Sequence, residues 1–119
     1  MANEKAVLFI GSNRPIVGRE TEAMNLWMET GPWLDAQQKA GWFSRWDGYW
    51  LTAHGGRLNA VINCYGERAK LDEWRRTDGF EAWVFRASNV LADLAVVPGV
   101  AYAAAAETLA RRKQALTAK

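Results

Sequence analysis

The chain has 119 residues, 50% hydrophobic and 24% charged, a size and composition suited to one globular domain spanning residues 1–119. Its 15 basic and 13 acidic residues are scattered and leave a formal charge of +2, so neither nucleic acid nor a membrane surface is expected as a partner. One cysteine, Cys64, and one histidine, His54, exclude an internal disulfide and a structural zinc cluster; no metal or bound organic cofactor is expected, and a reducing cytoplasm is the expected location.

The apolar run 6–10 is too short for the core of an export signal. The longest uncharged stretch, 94–106, contains Pro98 and Gly99 and falls short of the roughly 20 apolar residues of a membrane span. Seven tryptophans, at 27, 33, 42, 46, 50, 74 and 83, stand out. Each buries a large area while needing a partner for its N–H, which suits either core filling or an aromatic pocket or interface.

In chain order, Val7-Leu8-Phe9-Ile10 ends at turn residues and reads as a strand buried on both faces. After Gly18, Ala23, Leu26, Trp27, Thr30 and Leu34 recur at helical spacing, with Glu20 and Glu22 at the positive end of the dipole. Pro32 falls inside this helix and should kink or restart it before it ends near Gly41. Residues 45–54 and 57–65 read as two strands around Gly55-Gly56.

A two-residue turn at these glycines sets His54 opposite Arg57, Thr52 opposite Asn59, Trp50 opposite Val61, Gly48 opposite Asn63 and Trp46 opposite Tyr65, all on one face. The other face, with Tyr49, Leu51 and Ala53 against Leu58, Ala60, Ile62 and Cys64, is packing material and should meet the helices. A second helical pattern runs from Gly66 to Leu91, pausing at Asp78-Gly79, where Asp78 and Glu81 resemble a capping box. Leu94 to Val97 form a last strand, and an alanine-rich terminal helix follows from Tyr102.

The order β, α, β-hairpin, α, β with an added helix implies an α+β fold of the βαββαβ kind, a four-stranded antiparallel sheet with both main helices on one face. The opposite face then needs cover, from a second copy of the sheet or from the terminal helix folded back. The strand ending Phe9-Ile10-Gly11-Ser12-Asn13-Arg14-Pro15, Gly18-Arg19-Glu20 opening helix one, the hairpin Ala53-His54-Gly55-Gly56-Arg57-Leu58-Asn59 and the broken second helix resemble the dimeric α/β-barrel superfamily of ferredoxin-like proteins. That resemblance covers almost the whole chain and implies a homodimer with a pocket between sheet and helices or inside the barrel. Members range from cofactor-free monooxygenases to haem degraders and binding proteins, so the fold leaves the function open. The histidine that ligates iron in the haem degraders has no counterpart on the second helix here.

The shared hairpin face is the expected site. His54 is the candidate general acid or base, or equally a solvated turn residue, and Asn63 the second candidate catalytic group. Trp46, Trp50, Thr52, Arg57, Asn59 and Tyr65 are the candidate ligand-binding residues, a large apolar surface with a few polar groups. Asn59 and Asn63 could bind a substrate oxygen or bridge a dimer interface. The expected partner is a small, flat, largely apolar or aromatic molecule, transformed or merely bound; the alternative is a non-catalytic interaction module whose aromatics serve dimer packing. Residues 11–15 also look like the phosphate loop of a flavodoxin-like fold, but one βα unit where five are needed speaks against it. Cys64 is read as a core residue and not a nucleophile.

Overall fold

The computed structural model describes residues 4–118. The elements are β1 (Ala6–Ser12), α1 (Glu20–Lys39), β2 (Arg45–Trp50), β3 (Ala60–Gly66), α2 (Arg68–Trp74), α3 (Asp78–Val90), β4 (Ala95–Val100) and, after a 3-10 turn at Tyr102–Ala104, α4 (Ala105–Thr117). The four strands form one antiparallel sheet in the order β2-β3-β1-β4. This is the ferredoxin-like α+β arrangement with an extra C-terminal helix.

The period of two assigns the faces. Ala6, Leu8, Ile10 and Ser12 of β1 share one face with Ala60, Ile62 and Cys64 of β3, and against them pack Ala23, Leu26 and Leu34 of α1, Leu71 and Trp74 of α2, and Phe80, Trp83, Ala87 and Val90 of α3. Leu8, Leu26, Leu34, Cys64 and Trp74 have no solvent exposure, so truncating any of the larger ones would leave a cavity costing about 2–5 kcal/mol.

At one end of the core the indole of Trp33 stacks on Trp83 (centroids 5.7 Å, interplanar 5°) and on Trp74 (5.7 Å, 28°), with Phe80 4.6 Å and Phe43 5.0 Å from Trp74. The buried indole donors are satisfied, Trp74 Nε1 by Gln37 Oε1 (2.7 Å) and Trp83 Nε1 by Thr30 Oγ1 (3.0 Å). Trp74 and Trp83 are thus buried core material, with Trp33 packed against them.

Several boundaries differ from the sequence expectation. Helix α1 runs as one element through Pro32, whose neighbour Gly31 presents no Cβ to clash with the proline ring. The break in the second helix lies one residue earlier than Asp78: Thr77 is the N-cap, accepting from Phe80 N (3.3 Å) while its hydroxyl donates to the Trp74 carbonyl (2.7 Å). Strand β4 continues through Pro98, which an edge strand tolerates. Helix α4 has no buried residue, so it does not fold back over the sheet.

The hairpin departs most. The strands end at Trp50 and restart at Ala60, and the pairs are Arg45 with Tyr65, Trp46 with Cys64, Asp47 with Asn63, Gly48 with Ile62, Tyr49 with Val61 and Trp50 with Ala60. This is one residue out of the two-residue-turn register, and it moves every β2 side chain to the opposite face. A type I′ turn needs positive φ at both central residues, and only Gly55 has it (81°). The longer connection is closed by Leu51 N donating to the Asn59 carbonyl (2.7 Å) and Asn59 N donating to the Ser12 carbonyl (2.8 Å).

Candidate functional site

The register divides the eight expected site residues among three places. Trp46 and Trp50 lie on the helix-facing side of the sheet, beside Cys64 and Ala60, and not with Tyr65 and Val61 as expected. Asn63 and Tyr65 lie on the outer face, and Trp50 and Asn63 are therefore on opposite sides of the sheet. His54, Thr52, Arg57 and Asn59 belong to the 51–59 connection, outside any strand. The single shared face on which these residues were grouped does not exist.

In the connection, the exposed His54 ring sets Nδ1 2.9 Å from the carbonyl of its neighbour Thr52 and lies against Gly56, where a Cβ would stand 2.6 Å from Nε2. Thr52 and Arg57 are exposed. Asn59 is a clip: Nδ2 donates to Asn13 Oδ1, and Asn13 Nδ2 donates in turn to Asp93 Oδ2 (2.8 Å), tying the connection to the end of β1 and the loop before β4. On the outer face Asn63 Nδ2 donates to Asp47 Oδ1 (3.3 Å), Asp47 faces Arg45 (3.3 Å), and the Arg45 guanidinium lies 3.9 Å above the Tyr65 ring. These amides are engaged in local structure.

A cavity of about 150 Å³ opens between α1 and the edge strand β2. Its walls are Trp27, Thr30, Gly31 and Leu34 from the helix and Trp46, Gly48 and Trp50 from the strand, over a floor that includes Ala60 and Ile62. The two glycines make the space: a Cβ on Gly31 would meet open space, and Gly48 leaves the strand wall without a side chain. The rings are held in place. Trp27 and Trp50 meet edge to face (5.7 Å, 82°), Trp46 Nε1 donates to Asp35 Oδ1 (2.9 Å), and Thr30 Oγ1 donates to the Leu26 carbonyl (2.7 Å) while accepting from Trp83. Trp50 is nonetheless 68% exposed, so it is the wall most free to move.

Of the cavity residues, Trp46 and Trp50 were expected site residues and Gly48 was placed on the same face, whereas Trp27, Thr30, Gly31 and Leu34 were not expected as walls. The stripe Trp27-Thr30-Leu34 was visible at helical spacing, with core filling and an aromatic pocket both open for its tryptophan. The alternation Arg45-Trp46-Asp47, charged out and aromatic in, was the signal that could have set the faces of β2 correctly.

Burial pushes the Cys64 thiol well above its usual range, with the Asp47 charge adding to the effect, which suits a core residue and not a nucleophile. Among the described residues no cluster of three or more His, Cys, Asp or Glu side chains is arranged to hold a metal, and no helix is long and apolar enough to cross a membrane.

The class these features define is a ferredoxin-like α+β protein with an aromatic cavity between sheet and helix. No family model and no curated protein matches the chain. A solved structure does: a dimeric protein of unknown function and ferredoxin-like fold from Bacteroides fragilis, with a TM-score of 0.58 and 13% identity over 81% of this chain and 96% of that one. That likeness establishes the fold.

Proposed function

We propose that the chain is a single-domain homodimer that binds one small, flat, largely apolar molecule in the cavity walled by Trp27, Trp46 and Trp50. The cavity carries this reading. Its volume matches an engineered apolar cavity of about 150 Å³ known to take benzene, and its walls are chiefly aromatic and aliphatic. Among the described residues lining it the only titratable one is Tyr49, whose side chain points to the outer face, so binding is supported more directly than proton-transfer chemistry. A cofactor-independent, monooxygenase-like transformation of that molecule rests on the sequence resemblance alone, as does a cytoplasmic location on the lone thiol.

Dimerisation is supported by the outer sheet face, where Val7, Phe9, Val61, Tyr65 and Val97 align while α1, α2 and α3 all pack on the other side. Leu58 reaches over part of it, close enough that a Cβ on Gly11 would stand 2.8 Å from its Cδ1, but Val97 remains 49% and Tyr49 51% exposed. Val61 is already buried and Val7, Phe9 and Tyr65 are half-buried, and the apolar surface that remains is of the kind soluble monomers tend to cover. This same face supports the second reading, a non-catalytic module whose work is association.

The test is a titration with p-xylene followed by the indole N–H resonances in nitrogen-15 correlation spectra. Saturable shifts of Trp27, Trp46 and Trp50, with Trp74 unmoved, are expected. Shifts spread evenly over all seven indoles, or none that saturate, would leave only the association module.

A further inference from the structure

We infer that Ser12 is the polar anchor of the cavity and that its ligand is an uncharged, flat single-ring compound carrying one hydrogen-bonding oxygen, a phenol or a cyclic ketone. This rests on the reading that the cavity binds a flat apolar ring.

Ser12 ends β1 on the helix-facing side and is 2% exposed, yet its Oγ has no hydrogen-bond partner among the described residues. A buried hydroxyl left unpaired costs about 1–3 kcal/mol, and native interiors contain few. The backbone explains its position, not its chemistry: Ser12 N and O belong to the strand end, where the carbonyl accepts from Asn59 N. Alanine at this site would pack without that cost.

The sheet places the orphan beside the cavity. Ser12 pairs with Ala60, and Ala60 pairs with Trp50, so the three side chains stand in one row on one side of the sheet. Ala60 and Trp50 line the cavity. Ser12 does not itself line the cavity: it stands one strand spacing, about 4.8 Å, beyond Ala60 in that row, the reach of a ring substituent plus a hydrogen bond once that end opens. Trp50, which packs on Trp27 and is mostly exposed, is the wall whose rotation would open that end.

The ligand's class follows. Its body meets Trp27, Trp46, Leu34 and Ile62, which reward a flat ring. A hydroxyl anchor both donates and accepts, so it serves a phenol or a carbonyl alike. Among the described residues no lysine, arginine, aspartate or glutamate lines the cavity, so a carboxylate or ammonium would be buried without a counter-charge.

The experiment compares p-xylene and p-cresol, nearly identical in shape, with 4-methylbenzoate, whose carboxylate is bulkier and charged, by calorimetry on the wild-type chain and on Ser12→Ala. Expected is p-cresol binding about five- to tenfold tighter than p-xylene in the wild type, near-equal binding in Ser12→Ala with p-xylene unchanged, and no saturable binding of the benzoate. Equal affinities in the wild type, or a p-cresol preference that survives in Ser12→Ala, overturn the anchor while leaving ring binding intact. Tight binding of the benzoate overturns the uncharged class, and failure of all three overturns both the anchor and the cavity reading. The unfolding midpoint of ligand-free Ser12→Ala should be unchanged or higher; a lowered midpoint would mean the hydroxyl already has a partner and would also overturn the assignment.

Discussion

Trp83 donates its indole N–H to Thr30 Oγ1 at 3.0 Å, and both residues are buried, so one hydroxyl joins α3 to α1 directly behind the aromatic cavity. Thr30→Val keeps the shape and removes the acceptor, stranding the indole donor. We expect a loss of about 1–3 kcal/mol in urea unfolding with the fold retained. A change below about 0.5 kcal/mol would mean that another acceptor takes the N–H.

Two lysine substitutions separate the two sheet faces. Val97→Lys puts a charge on the outer face at a position already half exposed, so the protomer should stay folded while the dimer dissociates. Trp50→Lys lies on the cavity side and should leave the assembly intact while abolishing p-xylene binding. Sedimentation velocity at micromolar concentration reads the first, and the indole titration reads the second. A monomeric wild type would remove the dimer from the reading altogether.

Pro32 lies exposed inside α1, where it withholds one helical hydrogen bond. Pro32→Ala restores the donor, partly offset by the greater freedom of the unfolded chain. Thermal unfolding should shift upward, corresponding to about 1–2 kcal/mol of added stability. A lower midpoint would show that the proline's rigidity outweighs the missing bond.

Cys64 has no exposure in the core, and burial raises its thiol pKa above the usual 9.0. The folded state therefore keeps its proton where the unfolded state loses it. That contribution to stability is fully present below pH 9.0 and is lost as pH rises above it, with a limiting slope of about 1.4 kcal/mol per pH unit. Cys64→Ala should unfold with a shallower decline between pH 9 and 10.5. In the native wild type, a thiol reagent at pH 8 should label the residue only as fast as the protein opens.

Asn59 was expected to face a ligand or a dimer interface and instead holds the 51–59 connection to Asn13. Asn59→Ala should raise amide hydrogen exchange across 51–58 without changing it in β1 or β3. Exchange unchanged in the connection would mean that the clip contributes nothing to its order.

The element order was legible because each element carries its own period. Ile62 and Cys64 read as inward strand positions, and Ala23, Leu26, Thr30 and Leu34 as a helical stripe, and all of them are buried; β1, read as buried on both faces, instead alternates, with Leu8 and Ile10 buried and Val7 and Phe9 half-buried. From these the four-stranded α+β fold and the core role of Cys64 followed directly. Local spacing determines which side chains share a face within one element, and nothing more distant is needed.

The tertiary structure alone decided which way β2 faces and where the connection begins. Gly55-Gly56 is equally compatible with a two-residue turn and with a nine-residue connection, and the two differ by one residue in register. The choice was made by groups far off in sequence: Asn59 N on the Ser12 carbonyl, its amide on Asn13, and the indoles of Trp46 and Trp50 meeting Asp35 and Trp27 on α1. A one-residue slip reverses every side chain of a strand, so those few long-range contacts converted an expected hairpin-face site into a cavity between strand and helix.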